Sequence, residues 1–202
     1  TVEDIEDLYR GISIASEKHK IDVIGGDVSS SYSGLLINIA TIGTQKLKKI
    51  VYRSGAKDGD LIVTSGDLGA AYLGLKVLER EKVVLSKHKA PKFALPDIEK
   101  TLDEYRYLIQ RQIKPEAKPK IIELLDKNKI KPTAMIDVSD GLVPDLNHLS
   151  KESGVGYAIY ESKLPISRQA HEASLEFNIN PLFPALYGGE DYELLFTVNP
   201  KY

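Results

Sequence analysis

Several features are missing from this 202-residue sequence, and their absence narrows the classes of protein that it can represent. It has no cysteine, which excludes disulfides and thiolate metal sites and fits a reducing compartment. The longest apolar runs, at residues 35–37 and 194–196, are far too short to span a bilayer. Its 29 acidic and 27 basic residues form no basic stripe, so nucleic-acid binding is not expected. We therefore expect a soluble, cytoplasmic globular protein.

Apolar periodicity predicts helices that alternate with strands, which indicates an α/β or α+β fold. Helices are predicted after Thr1, which is placed to cap the first of them, at 70–80 and 119–128, after Ser139, and at 167–177. Strands are predicted at residues 21–24, 35–43, 61–65, 133–138, 157–161 and 192–198. Residues 104–112 fit a helix or a strand, and the lysine-rich stretch 82–102 permits no assignment.

The composition turns polar around residues 45–49, and we place a domain boundary there. Residues 1–48 would be the last part of a first domain, and residues 49–202 most of an α/β domain. The sequence begins with Thr1, and its single methionine is Met135. We therefore expect an internal part of a longer polypeptide.

One motif places two carboxylates at a strand-to-helix junction. Asp137 ends a predicted strand, and Ser139, Asp140 and Gly141 follow at the start of the next helix. Mg²⁺ prefers such oxygen ligands, and the free N–H groups of a helix start suit a phosphate. The alternative is that Ser139 and Asp140 only cap the helix.

Two weaker signals also suggest a phosphate site. Gly25, Gly26 and Asp27 follow a short apolar segment, where glycines allow close approach to a ligand, although the same residues make an ordinary turn. Arg53 precedes a glycine-containing loop, and a guanidinium there can grip phosphate oxygens in a forked geometry. Surface arginines are common, so Arg53 alone decides nothing.

A dense acidic motif lies near the end of the sequence. Gly188 and Gly189 are followed by Glu190, Asp191 and another acid at position 193, then by an apolar strand. A solvated turn would explain part of this pattern.

Two other kinds of site are not expected. The glycines at positions 66 and 69 lack the spacing of a dinucleotide-binding loop, and the four histidines form no ligand-type pair.

Taken together and in this order, the segments resemble thiamine-monophosphate kinases, in the superfamily of aminoimidazole ribonucleotide synthetase. The matching stretches are residues 8–11, 24–27, 53–60, 64–69, 136–142 and 188–196. The resemblance implies a partial N-terminal dimerisation domain joined to a C-terminal α/β domain. It also implies transfer of the γ-phosphoryl of ATP to thiamine monophosphate, assisted by Mg²⁺, in a homodimeric enzyme.

The same resemblance assigns roles to individual residues. The Mg²⁺ ligands would be Asp27, Asp137 and Asp140. ATP would contact Gly26, Arg53 and Ser139. The thiamine moiety would face Glu190 and Asp191. No general base is assigned, because the accepting phosphate, with a second pKa of about 6, is already largely deprotonated at neutral pH.

The sequence departs from the family in length. Family members carry a further aspartate-rich metal motif before this region and a C-terminal portion beyond it. We therefore expect the 202-residue chain alone to have little or no kinase activity. Two alternatives stay open: another ATP-using member of the superfamily, of the selenophosphate synthetase or hydrogenase-maturation type, or a non-catalytic nucleotide-binding fragment.

Overall fold

The chain divides into two compact units, Thr1–Thr44 and Gln45–Tyr202. The computed structural model describes residues 1–32, 34–88 and 102–202. Much of the lysine-rich stretch 82–102, left unassigned from the sequence, therefore lies outside the described residues. Within the described residues, no helix combines the length and the apolar character needed to cross a membrane.

The first unit contains helix α1, Val2–His19. Thr1 caps this helix as predicted, because its hydroxyl accepts from the N–H of Asp4 in a capping box. The strands predicted at 21–24 and 35–43 are wrong, since the described residues of both segments are irregular and exposed. Leu35, for example, is 88% exposed. A strand needs a neighbour for its backbone groups, and apolar residues alone do not supply one.

The second unit is built on an antiparallel sheet of three strands, β1 (Leu61–Thr64), β2 (Ala134–Asp137) and β3 (Leu194–Val198). Strand β3 lies in the centre: Leu61 pairs with Val198 on one side, and Asp137 pairs with Leu194 on the other. All three strands were predicted within one or two residues. Because Asp137 at the end of β2 pairs with Leu194 at the start of β3, the segment after β2 and the segment before β3 lie side by side.

Six helices surround this sheet in the described part of the unit. They are α2 (Ala70–His88), α3 (Arg106–Ile113), α4 (Pro119–Lys127), α5 (Leu142–Ser153), α6 (Arg168–Glu176) and α7 (Leu182–Tyr187). Short 3-10 turns occupy Leu47–Lys49 and Glu161–Lys163. The ambiguous segment 104–112 is thus helical. Helix α7 is short and was not predicted.

Two groups of buried side chains hold these elements together. The inner face of α5, including Leu142, Leu146 and Leu149, packs with the sheet in one apolar cluster. Helices α2 and α3 pack so closely that a Cβ on Gly74 would lie 2.1 Å from the carbonyl oxygen of Leu108. These contacts hold α5 against the sheet and α2 against α3.

The strand predicted at 157–161 is also wrong. Residues 155–160 line a cleft of about 850 Å³ together with residues 61–64 of β1. The cleft separates the two backbones, so the segment forms no ladder and only a 3-10 turn follows at Glu161–Lys163. Alternating Tyr and Ile residues therefore do not make a strand here.

Candidate functional site

Two loops meet at the end of the sheet: the aspartate loop, residues 137–141 after β2, and the acidic loop, residues 188–193 before β3. Three backbone hydrogen bonds join them. The N–H of Glu190 donates to the carbonyl of Ser139 at 2.8 Å. The N–H of Tyr192 donates to Val138, and the N–H of Val138 donates to Glu193, each at 2.8 Å. The two strongest motifs of the sequence therefore form one surface.

The acidic loop has an unusual backbone. Gly189, Glu190 and Tyr192 all lie in the left-handed region, with φ of 68°, 60° and 48°. A Cβ on Gly189 would lie 2.6 Å from the carbonyl oxygen of Ser139, so the close approach of the loops requires glycine there. Left-handed backbone at non-glycine residues is costly, and it is concentrated at functional sites.

Carboxylates and an aromatic ring cluster on the outer side of these loops. The pKa of Tyr192 is raised by its hydrogen bond to Glu190, by burial, and by the negative charges of Asp137 and Asp140. In the part of the chain that the structure describes, Asp137, Asp140 and Glu190 form no ion pair with Lys or Arg. Their negative charge is therefore left available for a cationic ligand or ion.

A buried carboxylate holds the aspartate loop in place. Oδ2 of Asp145 accepts from the N–H groups of Ser139, Asp140 and Gly141, at 3.0, 3.1 and 3.2 Å. Burial raises the pKa of Asp145, and the three N–H donors oppose that shift. These N–H groups are consequently satisfied inside the protein instead of being free for a phosphate.

This arrangement corrects the expected role of Ser139. Helix α5 begins at Leu142 with Gly141, at φ 119°, as its N-cap, and no side chain caps it. Asp145, in the first turn, instead accepts from the N–H groups of the loop that precedes the helix. Sequence reasoning missed Asp145, although a carboxylate within an otherwise apolar helix face was a usable signal.

Asp191 is buried and faces the start of α2. It is 1% exposed and accepts from the N–H groups of Gly69, at 2.7 Å, and Ala71, at 3.2 Å. The carboxylate therefore satisfies the start of α2 and points away from the outer surface. Burial raises the pKa of Asp191 to about 6, against the lowering effect of these N–H groups and of Arg111.

The raised pKa of Asp191 leads to a prediction on stability. A carboxyl whose pKa is higher in the folded state stabilises the fold below its unfolded pKa, and this contribution is lost as pH rises through the folded value. We expect the unfolding free energy of the natural chain, relative to Asp191→Asn, to fall by about 2 kcal/mol between pH 4 and pH 7. Urea unfolding of the natural chain and of Asp191→Asn at several pH values between 4 and 7 measures this difference in free energy. A difference that does not change with pH would contradict the expectation.

Within the second unit, Arg53 lies apart from this surface. The carbonyl of Arg53 accepts from Oγ of Ser153, the last residue of α5. A 12-residue helix is about 18 Å long, so the Arg53 backbone and Ser139 lie at opposite ends of α5. Gly26 and Asp27 belong to the first unit and are exposed. Gly26 faces Tyr9, whose hydroxyl would lie 2.9 Å from an added Cβ.

No group of three His, Asp or Glu side chains is preassembled as a metal site in the residues that the structure describes. Asp137 and Asp140 nevertheless suit a hard cation, because their carboxylates lie close to Tyr192 and are unpaired with any described Lys or Arg. Two carboxylates leave most of the coordination of Mg²⁺ to other oxygens, such as water or phosphate.

Comparison with solved structures identifies the fold class of the chain. No protein-family model matches the chain. A crystal structure of thiamine monophosphate kinase from Aquifex aeolicus aligns with all of this chain and 61% of its own, with a TM-score of 0.75 and 31% identity. A second structure, described as AaThiL complexed with AMPPCP and TMP, aligns with a TM-score of 0.73 and 32% identity over all of this chain and 58% of its own. The chain thus has the mixed α/β fold of the aminoimidazole ribonucleotide synthetase-like type.

The sequence comparison gives the particular relationship. The thiamine-monophosphate kinase of Aquifex aeolicus is 36% identical over 197 residues, which are 98% of this chain and 57% of that protein. The chain is therefore homologous to thiamine-monophosphate kinases over nearly all of its own length, and the resemblance seen in its motifs is confirmed. It spans little more than half the length of the relatives that it matches.

Proposed function

We propose that this protein transfers the γ-phosphoryl of ATP to thiamine monophosphate, giving thiamine diphosphate and ADP. The observation that carries the proposal is the packing of the acidic loop on the aspartate loop, in which the N–H of Glu190 donates to the carbonyl of Ser139, between Asp137 and Asp140 in the chain. The solved relative described as a complex with AMPPCP and TMP supports the choice of both substrates.

The carboxylates would hold Mg²⁺, which offsets the negative charge of the phosphates, and would not act as general bases. Two phosphates that approach within 4 Å repel by roughly 4 kcal/mol per pair of unit charges at an effective dielectric near 20. Bound Mg²⁺ would neutralise part of this charge during transfer. Asp137 and Asp140 would hold an ion, since neither is paired with a Lys or Arg of the described residues. Asp27 of the first unit remains a proposed Mg²⁺ ligand. The protein's part is positioning and charge balance.

Recognition of the two substrates would fall to different residues. The carboxylate of Glu190 is exposed beside Tyr192, and a negative group next to an aromatic ring suits the cationic thiamine moiety. Gly26, Arg53 and Ser139 remain proposed contacts for ATP. Asp191 is assigned a structural role instead, because its carboxylate faces the start of α2.

We also propose that residues 1–48 contribute to a homodimer interface in a cytoplasmic enzyme. Apolar side chains are exposed along the first unit; Ile24, Leu35 and Leu36 are each more than 80% exposed. Large apolar side chains exposed in this number are candidates for burial against a second copy. Sedimentation of the complete natural polypeptide as a dimer would support the assignment, and a monomer at micromolar concentration would oppose it.

The proposed reaction is tested by calorimetry and product analysis on the complete natural polypeptide. We expect binding of Mg-AMPPCP, binding of thiamine monophosphate, and ADP release that requires thiamine monophosphate. Nucleotide binding without ADP release dependent on thiamine monophosphate would favour a non-catalytic nucleotide-binding protein and refute the proposal.

The same assay applies to the 202-residue chain by itself. It spans 57% of the length of the Aquifex aeolicus kinase, so part of what its relatives contain is not represented in it. We expect little or no turnover from the chain alone. Turnover comparable to that of the complete polypeptide would contradict this expectation and would place every essential group within residues 1–202.

A further inference from the structure

Two basic side chains, Arg111 and Lys118, form ion pairs with the buried carboxylate of Glu193 in the acidic loop. Arg111, from α3, lies with Nη1 2.5 Å from Oε1 of Glu193, and Nζ of Lys118 lies 2.6 Å from the same oxygen. The side chains of Arg111, Lys118 and Glu193 are only 12%, 22% and 2% exposed. Both cations come from the region 82–118, to which the sequence assigned no function.

The acidic loop alternates between two environments. Glu190 and Tyr192 point outwards, where Asp137 and Asp140 lie, whereas Asp191 and Glu193 are buried. Asp191 lies between Glu190 and Tyr192 in the chain, and Glu193 follows Tyr192, so fixing the two inner carboxylates restricts the backbone that carries the two outer side chains.

Arg111 connects both inner carboxylates to the start of α2. Its Nη2 donates to the carbonyl of Asp67 at 3.0 Å and lies 3.5 Å from Oδ1 of Asp191. The hydroxyl of Ser65 donates to the other oxygen of Glu193. A Cβ on Gly66 would lie 2.7 Å from the carboxyl carbon of Glu193, so this carboxylate lies directly against the Gly66 backbone. The contacts join α3, the start of α2 and the acidic loop.

We propose that Arg111 and Lys118 are positioning residues that hold the acidic loop so that Glu190 and Tyr192 face the aspartate loop. They act through Glu193 and Asp191 and touch no ligand. The inference rests on the proposed function in one respect only, namely that the ligand in contact with Glu190 is thiamine monophosphate. The placement of the loop is a separate property and is measured separately.

A buried ion pair does not by itself imply added stability, because desolvation of the charges offsets much of their attraction. Its better attested use is to select one geometry among several. The left-handed backbone at Glu190 and Tyr192 is the kind of geometry that needs such selection.

The loop can be observed directly, because the chain contains no tryptophan. In a Tyr192→Trp background, the single indole would report the exposure of the acidic loop. We expect Arg111→Met to raise acrylamide quenching of this indole about two-fold or more, because the loop opens locally. The matched control, Arg106→Met, removes an exposed arginine of the same helix, and we expect it to change nothing. Unchanged quenching in a folded Arg111→Met protein would overturn the proposal.

Variants that perturb less keep the test decisive if Arg111→Met fails to fold. Arg111→Lys retains one charged contact and should restore most of the protection from quenching. Lys118→Met removes the second, more exposed cation and should cause a smaller increase. Glu193→Gln should reduce the further effect of Lys118→Met, because the cation acts through that carboxylate. Full additivity of the two substitutions would contradict action through Glu193.

The ligand is tested on the complete natural polypeptide, with Tyr192 intact and thiamine monophosphate as the probe. We expect Arg111→Met to weaken binding about ten-fold or more, since a displacement of about an ångström commonly costs as much, while Arg106→Met leaves it unchanged. Equal affinity in Arg111→Met would reject the positioning role. If the natural protein does not bind thiamine monophosphate, the proposed function fails, and the quenching result still decides the role of Arg111.

Discussion

Asp140→Asn is expected to lower thiamine-monophosphate-dependent ADP release by the complete polypeptide about 100-fold or more. The substitution removes a charged oxygen ligand from the site proposed for Mg²⁺. Loss of one group that stabilises charge on the reacting atoms costs about 100- to 1,000-fold in other enzymes. The fold should be unaffected, because the Asp140 side chain is exposed and only its backbone N–H contacts Asp145. Steady-state kinetics at saturating substrates measures the effect.

A matched control separates the effect of losing charge at the proposed Mg²⁺ site from the effect of losing any exposed carboxylate. Asp103→Asn makes the same chemical change at an exposed residue that pairs with Arg106 on the surface, and it should leave turnover unchanged. For Asp140→Asn, the Mg²⁺ concentration needed for half-maximal rate should also rise. Activity unchanged by Asp140→Asn would refute the metal assignment.

Asp145→Leu is expected to destabilise the second unit by about 4 kcal/mol. One buried and two part-buried N–H groups share Oδ2 of Asp145, and a donor that is left without a partner inside a protein costs about 1–3 kcal/mol. Leucine has a similar size, so the lost hydrogen bonds and not a cavity would cause the change. Urea unfolding at neutral pH gives the free energy.

The comparison with Asp145→Asn makes this test specific. All three bonds end on one oxygen, and the amide oxygen of asparagine can take its place. We therefore expect Asp145→Asn to cost about 1 kcal/mol, the usual net value of one hydrogen bond. Equal losses in the two variants would show that the negative charge, and not the accepting oxygen, holds the aspartate loop.

Local signals predicted the local structure well. Thr1 caps α1 as predicted. Helix α6 lies within the predicted range 167–177, and the hydroxyl of Ser167 caps its start. The three strands of the sheet were found because apolar residues and turns bound them. Residues 21–24, 35–43 and 157–161 have similar composition and form no strand, because pairing depends on neighbours that local sequence does not specify.

The candidate site was predicted in part, for a related reason. Asp137, Asp140 and Glu190 were recognised from acidic motifs beside glycines, and the structure brings these three together around Tyr192. The direction of Asp191 could not be predicted, because it depends on where the start of α2 lies. The contact of Arg111 with Glu193 joins residues 82 positions apart and depends on the packing of α3.

Transfer of labelled phosphate tests the central claim most directly. The complete polypeptide would be incubated with ATP labelled at the γ-phosphate, Mg²⁺ and thiamine monophosphate, and the products separated. We predict label in thiamine diphosphate, with an equal amount of ADP, and none when thiamine monophosphate is omitted. Label that appears only as inorganic phosphate, or ADP release that does not depend on thiamine monophosphate, would contradict the proposed kinase.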